Sequence, residues 1–373
     1  MGKGIFSKEE VNTGRQTEFD YLKGIIMIFI FQVHSFQATL SEGSPLDTII
    51  YSVGTMTGAA LFIFVMGFGA AYSGKSRPED LAKNGVRLVI YQYLGNLLYI
   101  AVIALPYPFF VNTPSEEGTE NFNFLIWVYS QFINIFFISG IIYLVLALLK
   151  ALKCKVYIYP ILGVIIAIIA PFVYGTPVDI PVIGYIVKLL IGEDVFVSFT
   201  PLYFLSYALI GVGLGHMYRH ISDRRVFYKW TALISGVIVA VWWIINIAGC
   251  QGDLFSLADK ISTEYAEPDI WRVIASLAHI LLLASIIFFI LNRKKTIDEP
   301  ERKPGIVASQ LLFYSKHISK YYVLHITIYF VALGLHGYIG FESYQCWLLM
   351  LLSMVITEIM VRSYLMFRFK LSG

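Results

Sequence analysis

The amino-acid sequence predicts an all-α membrane protein, a helical bundle with about ten transmembrane helices. Three observations predict this fold. Hydrophobic residues make up 57% of the 373 positions and charged residues only 14%, whereas about a quarter of the residues in a soluble domain are charged. Apolar runs of about 20 residues, enough to cross roughly 30 Å of hydrocarbon, recur along the chain. The basic residues gather in alternate gaps between those runs.

The apolar runs define the predicted spans. They fall near 19–38, 48–72, 84–105, 122–149, 156–174, 198–218, 229–249, 270–291, 319–336 and 343–366. Two further apolar segments, 180–191 and 306–317, are too short to span, and we expect them in the outer and inner interfaces of the membrane. No polar stretch exceeds roughly 25 residues, so the sequence predicts a single transmembrane domain over residues 1–373.

The distribution of charge predicts the orientation. The N-terminus and every second loop after it contain nearly all the Lys and Arg residues, among them Arg15 and Arg87. The other loops contain only Lys188, Lys260 and Arg272 as basic residues, together with most loop acids. Because basic segments stay inside during insertion, the basic gaps are predicted to be cytoplasmic. We therefore expect an integral membrane protein with both termini in the cytoplasm. The expected location is a bacterial plasma membrane.

The clearest polar group inside a span is His34. An ionisable side chain deep in a membrane costs a few kcal/mol, so its presence needs a reason. His34 follows Lys23 by eleven residues, which turns a helix by about 1100° and raises it by about 16 Å. The two side chains therefore share one face, with Lys23 near the inner boundary and His34 near the membrane centre. Asp20 falls within about 40° of the same stripe.

Spacing alone leaves two interpretations of this stripe open. In the first, Lys23 is a cation at the cytoplasmic entrance of a cavity and His34 is a titratable base at its inner end. In the second, His34 forms a hydrogen bond with a neighbouring helix, and Lys23 is only a basic residue at the inner face of the membrane. His279, in the eighth span, is predicted to make a local packing or hydrogen-bonding contact. Glu358 and Arg362 have the i,i+4 spacing of a helix ion pair.

Three segments resemble the membrane-bound acyltransferase-3 family. Residues 15–35 run from Arg through Asp-Tyr-Leu-Lys-Gly and an apolar stretch to Val-His-Ser. Lys23 and His34 reproduce the family's spacing of a basic residue, ten residues and then His. Residues 318–325, Ile-Ser-Lys-Tyr-Tyr-Val-Leu-His, are similar to a late family segment that ends in His, here His325. The sixth span, FTPLYFLSYALIGVGLGHMY, is the third similar stretch.

The sequence departs from that family after the second span. The family usually has two arginines three apart, or a denser Arg cluster, whereas this chain reads Lys83-Asn-Gly-Val-Arg87. Only Arg87 is a firm match, with Lys83 as a candidate substitute. The run ALFIFVMGFGAAYS in the second span also resembles the related membrane glucosamine N-acetyltransferases.

The resemblance implies transfer of an acyl group, with acetyl as the first expectation, from cytoplasmic acyl-CoA to a hydroxyl of a sugar or cell-surface glycan. It implies His34 and His325 as catalytic residues, with neutral His34 as the general base. Lys23, Lys83 and Arg87 are then expected to bind the phosphates of coenzyme A. Asp20 either orients Lys23 or neutralises it. A donor to the oxyanion is also required, and the candidates are Tyr91, Asn96, Ser319, Tyr322 and His325.

The expected partners are acyl-CoA, the glycan acceptor and the lipid bilayer, with no metal and no nucleic acid. A transporter or flippase for a small anion or a lipid-linked sugar is the alternative, because helical bundles with buried polar groups serve that function too. The sequence contains no evident inverted repeat, which weighs against the transporter. A purely structural or signalling protein leaves His34 at mid-membrane unexplained.

Overall fold

The computed structural model describes residues 4–38, 45–73, 77–107, 115–176, 180, 183–192, 200–253, 256–257, 260–261, 269–293 and 304–372. Helices dominate these residues. In chain order they are α1 (Thr17–Ala38), α2 (Pro45–Tyr72), α3 (Pro78–Ala104), α4 (Glu116–Gln131), α5 (Ile135–Ala151), α6 (Ile158–Val173), α7 (Ile183–Ile191), α8 (Pro201–Arg219), α9 (Arg224–Gly249), α10 (Ile270–Leu291), α11 (Ile306–Leu335) and α12 (Ser343–Ser372).

Seven segments within the described helices are long and apolar enough to cross a membrane. They are Thr17–Phe36, Ile50–Tyr72, Pro78–Ala104, Arg224–Gly249, Ile270–Leu291, Ile306–Leu335 and Ser343–Arg368. By length and composition they make the chain a helical membrane protein, as predicted. The helices α5 and α6 are shorter apolar helices, and α8 lies over the predicted sixth span. The count of ten spans and the cytoplasmic position of both termini stay predictions.

The predicted fourth span is not one helix, because residues 132–134 separate α4 from α5. The backbone groups at this break are satisfied by two amide side chains of α3. The Asn134 N–H donates to Gln92 Oε1 at 3.0 Å, and Asn96 Nδ2 donates to the Phe132 carbonyl at 2.8 Å. Such pairing is what allows a helix to break where water is absent.

The segment 306–317, predicted as a separate interfacial helix, is instead the first part of α11. The backbone of α11 leaves helical geometry at His317, where φ is −114° and ψ is 20°. Before this kink the Leu311 backbone packs directly on α1 at Gly24, where a β-carbon would overlap the Leu311 carbonyl oxygen. A glycine is required there because only a bare Cα lets two helix backbones come so close.

The chain forms two compact units. Unit 1 comprises Met1–Leu22, Thr55–Gln92 and Ile133–Lys303, and unit 2 comprises Lys23–Gly54, Tyr93–Phe132 and Pro304–Gly373. The helices α1, α2 and α3 each contribute to both units. Inside unit 1, α2 and α8 meet at glycines: a β-carbon at Gly67 would overlap the Ala208 carbonyl, and one at Gly211 would overlap the Phe64 carbonyl. These contacts confirm the packing role expected of small residues in membrane helices.

Candidate functional site

The first helix and α11 bring two histidines of unit 2 together. His34 Nδ1 lies 2.8 Å from His325 Nε2. The two rings are parallel within 4°, and their centroids are 5.0 Å apart. Parallel rings with that separation and so short a nitrogen–nitrogen distance lie edge to edge, which suits an N–H···N hydrogen bond between them. The two histidines implied by the family resemblance are therefore direct partners.

The other nitrogen of His325 determines where the protons lie. His325 Nδ1 is 2.6 Å from the carbonyl oxygen of Tyr321, one helical turn earlier. A carbonyl only accepts, so Nδ1 of His325 must carry the proton, and Nε2 of the neutral ring is then an acceptor. His34 must consequently donate from Nδ1. This leaves the lone pair of neutral His34 on Nε2, the atom that a general base needs.

The two rings differ in exposure. His325 is fully buried at 0% exposure, whereas His34 is partly exposed. Within the described part of the chain, no group forms a hydrogen bond with His34 Nε2. His34 thus has one ring nitrogen, Nε2, without a hydrogen-bond partner among the described residues, while its Nδ1–H donates to His325.

Aromatic side chains enclose the pair. Tyr322 contacts His34 edge to face, with ring centroids 5.6 Å apart and an interplanar angle of 73°. Phe31 lies 4.7 Å from the His325 ring, and Tyr329 lies 5.6 Å from it. The Tyr329 hydroxyl donates to the Phe31 carbonyl at 2.7 Å, which ties α11 to α1 beside the pair. These contacts fix both rings in a largely apolar setting, where a hydrogen bond is stronger than in water.

Two more tyrosines of unit 2 approach Tyr322. Tyr99 of α3 and Tyr129 of α4 contact each other edge to face at 5.8 Å, and both lie near Tyr322. The Tyr99 hydroxyl is buried and has no hydrogen-bond partner among the described residues. Because a buried unpaired hydroxyl costs free energy, it is a group that a polar ligand can satisfy.

Gln32, Ser35 and Gln37 are further polar residues of α1 close to His34 in the sequence. Gln32 is 1% exposed, and neither of its amide atoms has a partner among the described residues. It precedes His34 by two positions, about 200° around the helix, so it does not share the His34 face. The Ser35 hydroxyl donates to the Gln32 carbonyl at 2.8 Å. The side chain of Gln37 lies outside the described residues.

The predicted donor-binding residues divide between the units. Lys23 is in unit 2, partly exposed, on the same unbroken helix as His34, as the predicted common face requires. Asp20 belongs to unit 1, where it accepts a hydrogen bond from Arg15 Nε. Lys83 and Arg87 are exposed side chains of α3 in unit 1. Their role in binding coenzyme A stays a prediction, as do both alternatives for Asp20.

The five side chains predicted as candidate oxyanion donors differ in exposure and in their partners. Tyr91 is 50% exposed and belongs to unit 1, and Ser319 is exposed. Asn96 already donates to the Phe132 carbonyl, and both nitrogens of His325 are engaged. The ring of Tyr322 contacts that of His34, and the choice among the five stays a prediction.

A second buried histidine, His279, has partners at both of its ring nitrogens. In unit 1, His279 Nδ1 lies 2.7 Å from the Ala275 carbonyl, and its Nε2 accepts from Trp243 Nε1 at 2.9 Å. Both nitrogens are satisfied by groups that do not titrate, which confirms the local contact predicted for His279. His34 differs because only one of its nitrogens is used.

In unit 2, α11 and α12 share a polar cluster that the sequence predicted only in part. Glu358 forms the predicted i,i+4 ion pair with Arg362, with Oε1 and Nε 2.5 Å apart. The same carboxylate also accepts from Gln310 at 2.8 Å and from the Tyr321 hydroxyl. The i,i+4 spacing signalled the pair, but no local signal linked Glu358 to α11.

Comparisons with protein-family models, curated proteins and solved structures return no match to this chain.

Proposed function

We propose that the protein is a membrane-bound O-acyltransferase that moves an acyl group, in the first instance acetyl, from acyl-CoA to a hydroxyl of a sugar or cell-surface glycan. The observation that carries the proposal is the His34–His325 pair, which leaves Nε2 of the partly exposed His34 unprotonated. The choice of acyl transfer as the reaction comes from the sequence, because Lys23 and His34 match the spacing of a basic residue and a histidine in the acyltransferase-3 family.

The chemistry follows from the protonation of the pair. His34 Nε2 takes the proton from the acceptor hydroxyl while the hydroxyl oxygen bonds to the thioester carbonyl carbon. The carbon–sulfur bond then breaks, and the coenzyme A sulfur leaves with the proton that His34 took up. General-base assistance of this kind typically contributes about 10²–10⁴-fold in rate.

His325 assists by remaining neutral. When His34 becomes protonated at Nε2, its Nδ1–H still donates to His325 Nε2, and the bond strengthens because its donor is now charged. His325 thus plays the part that an orienting third group plays behind other catalytic histidines. Its Nδ1 bond to Tyr321 prevents the ring from presenting a proton to His34 instead.

Two tyrosines complete the proposed acyl-transfer site. The Tyr322 hydroxyl is the proposed donor to the oxyanion that develops on the thioester carbonyl, a role worth several kcal/mol in a dry site. The unpaired hydroxyl of Tyr99 is the proposed contact for a second hydroxyl of the acceptor. A polyol acceptor suits such phenols better than an apolar one, because it satisfies both with hydrogen bonds.

The donor side and the topology come from the sequence. Lys23, Lys83 and Arg87 are each proposed, from the sequence alone, as phosphate-binding residues on the cytoplasmic face, and Asp20 lies three residues before Lys23. The proposed topology has ten spans in a bacterial plasma membrane, with both termini in the cytoplasm. In that topology acyl-CoA enters from the cytoplasmic side and the acceptor enters from the outer side, and the two substrates meet at the depth of His34.

The transporter or flippase is the second candidate, and one observation favours it. The break between α4 and α5 and the kink in α11 are discontinuities of the type that transporters use near their substrate sites. An accessible, unprotonated imidazole has no equally direct role in that function.

Purified protein in detergent separates the two candidates. It is incubated with acetyl-CoA and a panel of simple sugars, and free coenzyme A is measured. The acyltransferase consumes acetyl-CoA without any membrane or gradient. Absence of turnover with every acceptor, together with uptake of a sugar or anion by proteoliposomes, contradicts the acyltransferase and supports the transporter.

A further inference from the structure

The carboxylate of Glu358, on α12, joins the two parts of the kinked helix α11. Gln310, before the kink, donates from Nε2 to Glu358 Oε2 at 2.8 Å. Tyr321, after the kink, donates from its hydroxyl to the same oxygen. Arg362 donates from Nε to the other oxygen at 2.5 Å. One carboxylate is therefore the shared acceptor for three side chains from two helices.

The position of these contacts matters because α11 has a point at which it can bend. His317, where the helical geometry is lost, lies between Gln310 and Tyr321. An interrupted turn is where the two parts of a helix can change their angle. Glu358 bonds to both sides of that turn, and Arg362 Nη2 adds a bond to Gln310 Oε1 at 2.9 Å. The cluster thus fixes the angle of the kink.

Tyr321 connects this cluster to the histidine pair. Its hydroxyl is held by Glu358, and its carbonyl accepts from His325 Nδ1 at 2.6 Å. Tyr321 is fully buried, so its ring has little freedom to turn. We infer that Glu358 is a positioning residue, which through Tyr321 sets the carbonyl that fixes the tautomer and orientation of His325 and, through it, of His34.

The competing explanation is an ion pair on the surface of α12. Arg362 is 51% exposed and Glu358 is 21% exposed, and exposed i,i+4 pairs contribute little to stability. That explanation accounts for Glu358 and Arg362 but requires neither Gln310 nor Tyr321. It predicts that changes at Glu358 leave the histidine pair undisturbed.

The decisive variant is Tyr321→Phe, which removes the hydroxyl that reaches Glu358 and keeps the backbone carbonyl that His325 uses. Glu358→Ala removes the same link from the other side. Tyr338→Phe is the matched control. Tyr338 is also in unit 2 and also fully buried, and its hydroxyl donates to the Ile103 carbonyl at 2.5 Å. It therefore loses a comparable buried hydrogen bond elsewhere.

The first measurement does not depend on activity. Nitrogen-15 NMR of histidine-labelled protein in nanodiscs reports which ring nitrogen carries the proton, with His34 and His325 assigned from His→Gln variants. We expect both to be protonated at Nδ1 in the wild type. We expect Tyr321→Phe and Glu358→Ala to shift or split the His325 and His34 signals, while Tyr338→Phe leaves them in place. Unchanged signals in Tyr321→Phe and Glu358→Ala overturn the inference.

The second measurement is acyl transfer, and this consequence rests on the proposed function. We expect Tyr321→Phe and Glu358→Ala each to lower kcat about 10- to 100-fold, as misplacement of a reacting group does, with KM for acetyl-CoA changed less than about twofold. The double variant should be no slower than the slower single variant, because both remove one link.

The two measurements keep the failures apart. If the wild type transfers no acyl group but Tyr321→Phe disturbs the histidine signals, the proposed function fails while Glu358 still positions the pair. If the wild type transfers acyl groups and both variants retain wild-type kcat and unshifted histidine signals, the positioning role is overturned and the function stands.

Discussion

His34 Nδ1 donates to His325 Nε2 at 2.8 Å across 291 positions of sequence, and this bond leaves the lone pair of neutral His34 on Nε2. The proposed role of His34 as general base follows from that arrangement, whereas the choice of acyl transfer follows from the sequence resemblance. The role of a single histidine in a membrane helix is ambiguous. In this pair the Tyr321 carbonyl determines which ring nitrogens carry protons, so the direction of proton transfer is defined.

Loss of the second histidine should slow acyl transfer without abolishing donor binding. His325→Ala removes the acceptor for His34 Nδ1, so we expect kcat to fall at least about tenfold. His325→Gln offers an amide oxygen in a similar place and should retain more activity than the alanine variant. Steady-state release of coenzyme A tests both variants. Equal kcat for His325→Ala and the wild type contradicts a role for His325 behind His34.

The Tyr322 hydroxyl should matter only in the transition state. Tyr322→Phe keeps the ring that contacts His34 and removes the proposed oxyanion donor. We expect kcat to fall about 10²–10³-fold, the usual effect of losing one such donor. KM for acetyl-CoA should be nearly unchanged. A variant with normal kcat assigns the oxyanion donor to another group.

Lys23 should act through the phosphates of the donor. Lys23→Ala loses a charged hydrogen bond worth about 1.5–3 kcal/mol, which corresponds to a rise of about 10- to 100-fold in KM for acetyl-CoA. The matched control changes the donor rather than the protein. Acetyl-pantetheine has the same thioester but no phosphate, so wild type and Lys23→Ala should use it equally well. A similar loss with both donors shows that Lys23 does not recognise phosphate.

The close approach of α2 and α8 makes a prediction about stability. Gly67→Ala places a methyl group against the Ala208 carbonyl, and overpacking of this kind costs about 1–3 kcal/mol. Gly69→Ala is the control on the same helix, since a β-carbon there meets no atom within 4 Å. Thermal unfolding in detergent should show a lower Tm for Gly67→Ala than for Gly69→Ala. Equal values contradict the packing.

The fold was predictable to the extent that it depends on local pattern. Apolar length identified most of the helices, and helical periodicity placed Lys23 and His34 on one face. The break at residues 132–134 was missed because the residues on both sides are apolar, and it is stabilised by Gln92 and Asn96 from another helix. Hydropathy does not report such tertiary hydrogen bonds.

The site was predictable only in part for the same reason. His34 and His325 were both expected as catalytic residues, yet no spacing rule links positions 291 residues apart. The bond from His325 to Tyr321 has the local i,i−4 spacing of a helix, so it lay within reach of the sequence. The contact of Glu358 with Tyr321 depends on how α11 and α12 pack, which a single sequence does not specify.

The most direct test of the central claim compares release of coenzyme A from acetyl-CoA by the wild type and by His34→Ala, in the presence of the sugar panel. His279→Gln is the control, because His279 is a buried histidine of unit 1 bonded to Trp243 and Ala275. We expect His34→Ala to lose at least about 100-fold in turnover, while His279→Gln, if folded, keeps wild-type turnover. Equal turnover by the wild type and His34→Ala would contradict His34 as the general base.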